Sequence, residues 1–516
     1  MNGAESLVRT LLAAGVDTCF ANPGTSEMHF VAALDRIPGM RCVLGLQENV
    51  VTGMADGYWR MLDRPAATLL HCGPGLANGL GNLHNARIAR SGIVNVVGDQ
   101  ATYHRPYDPP LAADTEGWAR PVSAWVRTSS TAACVGADAA AAVQAARSAP
   151  GWTATLVLPA DTAWNEGGIT ADPLPVPDPP APDPHVVRAA ARVLRGEGGV
   201  LLLLGGRALR AGALLAAHRL RAATGCRLLG ESFNARVERG QGRVGVERVP
   251  YNVDLAVEAL RDVRHLILVQ AAAPVGFFAY PGKPSLHHPE DAQVHMLARP
   301  EQDALAALEA LCDELGAPPV PPPDPGARPE VGRGAPSPEG LARTVGALLP
   351  ENAVVVDEII SYSYGPGRGF FGETHAAAPH DWLQITGGAI GCGPPLATGA
   401  AIAVPGRRVV NLQADGSAMY TLQALWTQAR ERLPVTTVVL ANQKYAILLG
   451  EYRNVGANPG RTALDMMDLG NPGLNWVSLA RGMGVEGARA GTLEQLADLL
   501  AQSFVQDGPF VIELAI

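Results

Sequence analysis

A chain of 516 residues is longer than one hydrophobic core organises, and at roughly 150 residues per domain it predicts about three domains. Hydrophobic residues make up 47% of it, enough for sizeable cores, and a formal net charge of −9 without a basic stripe excludes nucleic acid and anionic membrane surfaces as partners. Seven cysteines, scattered singly without a CxxC pair, fit reduced thiols rather than a disulfide scaffold or a zinc site.

No basic region followed by an apolar run opens the chain, and no run of 18 apolar residues occurs, so a soluble, cytoplasmic protein is expected. Two proline-rich breaks, 172–184 and 317–338, read as extended linkers. They leave segments 1–171, 185–316 and 337–516 as three predicted domains. In chain order, short apolar strands are predicted at 68–70, 93–98 and 155–158, then at 199–204 and 266–269. The last segment offers 353–357, 409–412, 437–440 and 510–514. Continuous apolar strands alternating with helical stretches predict α/β architecture, with three doubly wound parallel-sheet domains. Ser337-Pro338-Glu339 carries a helix start signal. In such sheets ligands bind beyond the carboxyl ends of the strands, so chemistry is sought at strand-to-helix junctions.

One junction is Asn411-Leu412-Gln413-Ala414-Asp415-Gly416-Ser417; the next strand ends at Ala441-Asn442-Gln443-Lys444-Tyr445. Asp415 and Asn442 lie 27 positions apart, one strand–helix–strand unit, which puts them at one sheet edge. A carboxylate, an amide oxygen and a backbone carbonyl are hard ligands that suit Mg²⁺, with phosphate completing the shell. Gly416 lets the backbone approach an anion, although Asp415-Gly416-Ser417 alone is also an ordinary turn and helix cap. In the first segment Glu48 opens a helix after a strand, where a lone glutamate is equally an electrostatic helix-start residue.

Together these strings resemble thiamine-diphosphate enzymes of the 2-oxo acid decarboxylase and acetolactate synthase family, and benzoylformate decarboxylase most. Asn22-Pro23-Gly24-Thr25-Ser26-Glu27, Leu46-Gln47-Glu48, Ala55-Asp56-Gly57-Tyr58 and the region of Gly482-Met483-Gly484-Val485 carry the likeness. The resemblance implies that Glu48 bonds N1′ of the cofactor's aminopyrimidine and promotes loss of the C2 proton. It implies Mg²⁺ at Asp415, Asn442 and Lys444, and the diphosphate near Gly416, Ser417 and Tyr445. In Thr386-Gly387-Gly388-Ala389-Ile390 it makes Ile390 the wedge that bends the cofactor and Gly388 the partner of its 4′-amino group. Without the resemblance Ile390 is a core residue.

It also implies that Thr25 meets the substrate carboxylate and that His71 takes part in proton transfer, although His71 alone could equally be a bonded core histidine. The family's second histidine falls on Ala279, and Glu451 stands where the decarboxylase has an aromatic residue. His287 and His288 read as loop residues, and His104 is the alternative proton donor. Gly205-Gly206-Arg207 is too weak a signal for a dinucleotide, and FAD is not expected. The implied activity is decarboxylation of a 2-oxo acid, with carboligation possible, and an acetolactate-synthase-like transferase or a non-catalytic paralogue as alternatives. Active sites at a subunit interface imply a homodimer or homotetramer.

Overall fold

The apolar runs form strands buried on both faces, in a computed structural model that describes residues 1–196, 198–363 and 369–516. The first sheet is wholly parallel, in the order Arg41–Leu44, Thr18–Ala21, Ala66–Leu70, Ile93–Asp99, Thr153–Pro159, Trp125–Thr128. The second is also parallel: Glu247–Arg248, Arg227–Gly230, Val200–Leu204, His265–Val269, Gln293–Ala298. The third runs Glu486–Ala490, Phe510–Ala515, Val435–Ala441, Val409–Ala414, Ala353–Glu358, His380–Gln384, Arg236–Arg239. Ser337 caps its helix as the sequence suggests, its hydroxyl accepting from Gly340 N at 3.0 Å with Pro338 in the first turn.

One strand corrects the expectation of purely parallel sheets. Arg236–Arg239 comes from the middle segment, yet it pairs antiparallel with His380–Gln384 in the third sheet. An antiparallel partner needs no crossover helix, and it covers an edge that would otherwise present unpaired backbone groups. Residues 171–183 and 318–337 carry no regular secondary structure, as their prolines dictate.

The first and third sheets are joined through two helices. Glu48–Leu62 starts where the Gln47 side chain accepts from Val50 N, and ends at Asp63 in the left-handed region. Gly393–Ala403 starts with Pro394 and Pro395 in its first turn, where proline costs no hydrogen bond. Glycines bring the two backbones together. A Cβ on Gly57 would stand 2.1 Å from Leu396 O, and one on Gly399 would stand 1.9 Å from Met54 O. Beside this contact Asp56 and Arg60 form a buried ion pair at 2.6 Å, and Arg60 also donates to Gln384 O and Thr386 Oγ1. No helix among the described residues is long and apolar enough to cross a membrane.

Candidate active site

Three strand ends supply the first half of the site. Glu48 follows the strand Arg41–Leu44 and is buried; its Oε2 accepts from Asn78 Nδ2 at 3.1 Å. Asn78 lies on the helix Cys72–Ala89, which begins after the strand Ala66–Leu70. That helix approaches closely because Gly75 lacks a side chain. A Cβ there would lie 3.1 Å from Glu48 Oε1 and 3.3 Å from His71 Cβ, so Gly75 lies between Glu48 and the start of its own helix at His71.

His71 Nδ1 lies 3.0 Å from Glu27 Oε2 and 3.1 Å from Glu27 Oε1, and the Glu27 side chain has no exposed surface. Glu27 also accepts from Gly24 N at 2.9 Å and from the hydroxyl of Ser26. Glu27 was not singled out in the sequence, although the turn Asn22–Glu27 was. Its signal was present: a carboxylate three residues after Gly24, reaching back to that residue's N–H. Thr25 is exposed on the same turn. His104 sits elsewhere, exposed and against Tyr107 with ring centroids 6.2 Å apart.

The second half of the site sits on the third sheet. Val409–Ala414 and Val435–Ala441 are parallel neighbours, with Ala414 opposite Leu440, so Asp415 and the 442–445 turn share one edge. Asp415 is buried; its Oδ2 accepts from Gln443 N at 2.6 Å and its Oδ1 from Gly416 N at 2.8 Å. No lysine or arginine pairs with it among the described residues. Burial pushes the Asp415 carboxyl above its usual range, against those two N–H groups. Asn442 Oδ1 accepts from Lys444 N at 3.0 Å, and Lys444 O from Ala446 N at 3.0 Å. Ser417 Oγ accepts from Gln413 Nε2 at 2.6 Å. A Cβ on Gly416 would lie 2.5 Å from the Tyr445 ring. A buried carboxylate without a cation is costly, and this hard-oxygen set fits the Mg²⁺ that would relieve it.

The loop between these halves is held by a carboxylate that the sequence did not reveal. Glu358, at the end of Ala353–Glu358, accepts from Gly391 N at 2.5 Å, Gly393 N at 2.6 Å and Gln413 Nε2 at 3.0 Å. Burial pushes its carboxyl up against those three donors. From the other side Asn85 Nδ2 donates to Ala389 O at 2.7 Å, and His84 Nε2 meets Gly387 O at 3.1 Å. Gly388 and half-buried Ile390 are thereby fixed in place. Gly388 adopts φ +79 beneath the Phe277 ring. Exposed Ala279 lies one residue before Tyr280, whose hydroxyl donates to Glu451 at 2.8 Å.

One helix links Glu48 to the loop that carries Gly388. The helix Cys72–Ala89 touches Glu48 at Asn78 but the 387–389 loop at His84 and Asn85, and seven residues of helix rise about 10 Å.

Residues 1–118 match the family described as thiamine pyrophosphate enzyme, N-terminal TPP binding domain, and residues 371–514 its C-terminal TPP binding domain. The chain belongs to the thiamine-diphosphate enzymes. A Mycobacterium tuberculosis relative, provisionally named acetolactate synthase large subunit IlvX, is 50% identical over 100% of this chain and 99% of its own. Benzoylformate decarboxylase of Pseudomonas aeruginosa is 30% identical over 97% of this chain and 96% of its own. Among solved structures, the Rhodococcus jostii RHA1 thiamine-diphosphate-dependent 4-hydroxybenzoylformate decarboxylase aligns with a TM-score of 0.81. It is 25% identical and the alignment covers 99% of this chain and 98% of that one. Glu27, Glu48 and His71 lie within the first of these matches, and Gly388, Asp415 and Asn442 within the second.

Proposed function

We propose that this chain is a Mg²⁺-dependent decarboxylase of a 2-oxo acid, of the benzoylformate-decarboxylase type, with capacity for carboligation. The observation that carries the reading is the placement of Glu48 and His71 at neighbouring strand ends beside Gly75, with Glu27 bonded to the histidine. Thiamine diphosphate, when bound, supplies a nucleophilic carbon and an electron sink for cleavage beside a carbonyl.

Glu48 holds a proton at N1′ of the pyrimidine, and its fixed position, with Asn78 on one oxygen, sets where that ring lies. Asp415, Asn442 Oδ1 and the Lys444 carbonyl would hold Mg²⁺, and Gly416, Ser417 and Tyr445 would border the diphosphate. When the cofactor is bound, the Gly388 carbonyl would accept from its 4′-amino group, and Ile390 would support it from below. The exposed Thr25 hydroxyl receives the substrate carboxylate. With Nδ1 engaged by Glu27, His71 keeps Nε2 for proton exchange with the reacting carbon's substituents. The family resemblance supports a homodimer or homotetramer, in which a partner completes each site.

The second reading is acetolactate-synthase-like transfer of the acyl unit to another 2-oxo acid. The 50% identical relative and the absence of a histidine at Ala279 favour it. The test is carbon dioxide release from aryl and alkyl 2-oxo acids with thiamine diphosphate and Mg²⁺, with and without an added carbonyl acceptor. Aldehyde as the product supports the decarboxylase, and a 2-hydroxy-2-alkyl-3-oxo acid from two 2-oxo acids supports the transferase. No release from a cofactor-loaded protein overturns both.

A further inference from the structure

Beside Glu27 and His71 lies a third group with no part in the mechanism above. Cys72 is buried, and its Sγ stands 3.1 Å from Ser26 Oγ and 4.0 Å from Glu27 Oε1. One oxygen of Glu27, Nδ1 of His71 and Sγ of Cys72 all lie within 4.8 Å of one another. Among the described residues this is the one such group of three. Cys72 holds this place with φ +52, a left-handed conformation that a residue with a side chain seldom adopts. That conformation directs residues 71 and 72 to the same carboxylate.

We infer that Glu27, His71 and Cys72 form a zinc site, separate from the cofactor's magnesium, whose occupation stops the reaction. A tetrahedral zinc ion with bonds of the usual length holds its nitrogen, oxygen and sulfur ligands about 3.3–3.6 Å apart. With Glu27 Oε1 as the oxygen, the spacings here, 3.1 Å for the nitrogen–oxygen pair and 4.0 Å for the sulfur–oxygen pair, bracket that range. Side-chain rotation alone can close the set. Three protein ligands leave a fourth position open, and His71 is partly exposed, which gives the ion a path in. A thiolate and an imidazole select zinc over magnesium, whereas Asp415 and Asn442 offer only hard oxygens. Ser26 and Gly24 N–H already support the Glu27 carboxylate and would hold it as a ligand. The spacing rules of the sequence did not reveal this site because its ligands come from two strand-end loops 45 residues apart.

Zinc on Nδ1 takes His71 away from Glu27 and fixes its ring, which removes the proton exchange assigned to Nε2. The inhibitory half of the inference rests on that assignment; the binding half does not. The experiment loads the holoenzyme with thiamine diphosphate and excess Mg²⁺, adds ZnCl₂, removes free metal and counts zinc per chain. Cobalt substituted for zinc reports sulfur ligation through thiolate-to-metal charge-transfer absorption.

One retained zinc per chain is expected, and it should weaken by at least the roughly 10–100-fold that loss of a supporting group costs in Cys72→Ser. His71→Ala serves as the second variant should that one misfold. Asp415→Ala should keep its zinc, and zinc should abolish turnover in the unaltered enzyme but not the activity that Cys72→Ser retains. Equal zinc in the unaltered protein and both ligand variants, or no thiolate absorption, overturns the site. Zinc bound through Cys72 with turnover unchanged overturns the inhibition, and with it the role given to His71, while the decarboxylase reading survives on Glu48.

Discussion

Glu27 bonds His71 Nδ1 at 3.0 Å from a position with no solvent-exposed surface, joining the turn after the strand Thr18–Ala21 to the end of Ala66–Leu70. A carboxylate so placed fixes the imidazole tautomer and the orientation of the ring. Glu27→Gln is therefore expected to lower kcat by about 10²–10³, the range of one acid–base group, with a smaller change in KM. An unchanged kcat would leave Glu27 a purely structural residue.

Glu48→Gln keeps the shape of the side chain and the bond from Asn78, so thermal stability and cofactor affinity should change little. Exchange of the C2 proton of bound thiamine diphosphate, followed by acid quench and NMR, should slow by at least about 10²-fold. An undiminished exchange rate would remove Glu48 from the mechanism.

Asp415→Ala removes a buried carboxylate that only backbone N–H groups face. The expected outcome is loss of the Mg²⁺ dependence of cofactor binding, with apparent affinity down by two orders of magnitude or more in a fluorescence titration, about 3 kcal/mol. Stability of the cofactor-free protein should be unchanged or slightly raised, since an unpaired buried charge disappears.

Much of this site was legible before the structure because it sits at strand ends, and the strands are continuous apolar runs. Asp415 and Asn442 could be placed at one edge from their spacing alone, and the pairing of Ala414 with Leu440 shows that edge. Glu358 was not legible. It ends an apolar strand in a run that reads as core, and its partners are backbone N–H groups 33 and 35 residues later. Arg236–Arg239 was missed for a related reason. Two arginines and a glutamate in four residues do not read as a strand, and only the edge of the third sheet and its charges give them partners. Tertiary context overrode local pattern there.

Gly399→Ala tests the contact that joins the first and third sheets. Alanine in a helix interior is worth about 1 kcal/mol over glycine in isolation. Here its Cβ would stand 1.9 Å from Met54 O, and both helices would have to separate. Overpacking of about 2–3 kcal/mol should win, lowering the urea midpoint. Gly450, on the helix Ala446–Asn454, has open space where a Cβ would go, so Gly450→Ala should instead raise stability by about 0.5–1 kcal/mol. Two shifts of the same sign would refute the close-packing account.

Asp381 ties the middle segment to the third sheet. Arg236 Nε donates to its Oδ1 at 2.7 Å, Arg407 binds its Oδ2, and Arg236 also donates to Arg60 O and Met61 O at 3.0 Å each. Burial raises the Asp381 carboxyl, but the two arginines outweigh it and the net shift is downward. A carboxyl with its folded pKa below the unfolded value stabilises fully above the unfolded value, about 3.9, and loses that stability as pH falls through the folded one. Asp381→Asn should therefore cost about 3 kcal/mol at pH 7, where it leaves Arg407 without its anion and Arg236 with Glu238 alone. The difference from the unaltered chain should shrink as pH falls below about 4, because the native carboxyl then becomes neutral too. Urea midpoints of both proteins at pH 7, 5, 4 and 3 measure it, and a difference that stays constant across that range would mean that Asp381 acts through shape rather than charge.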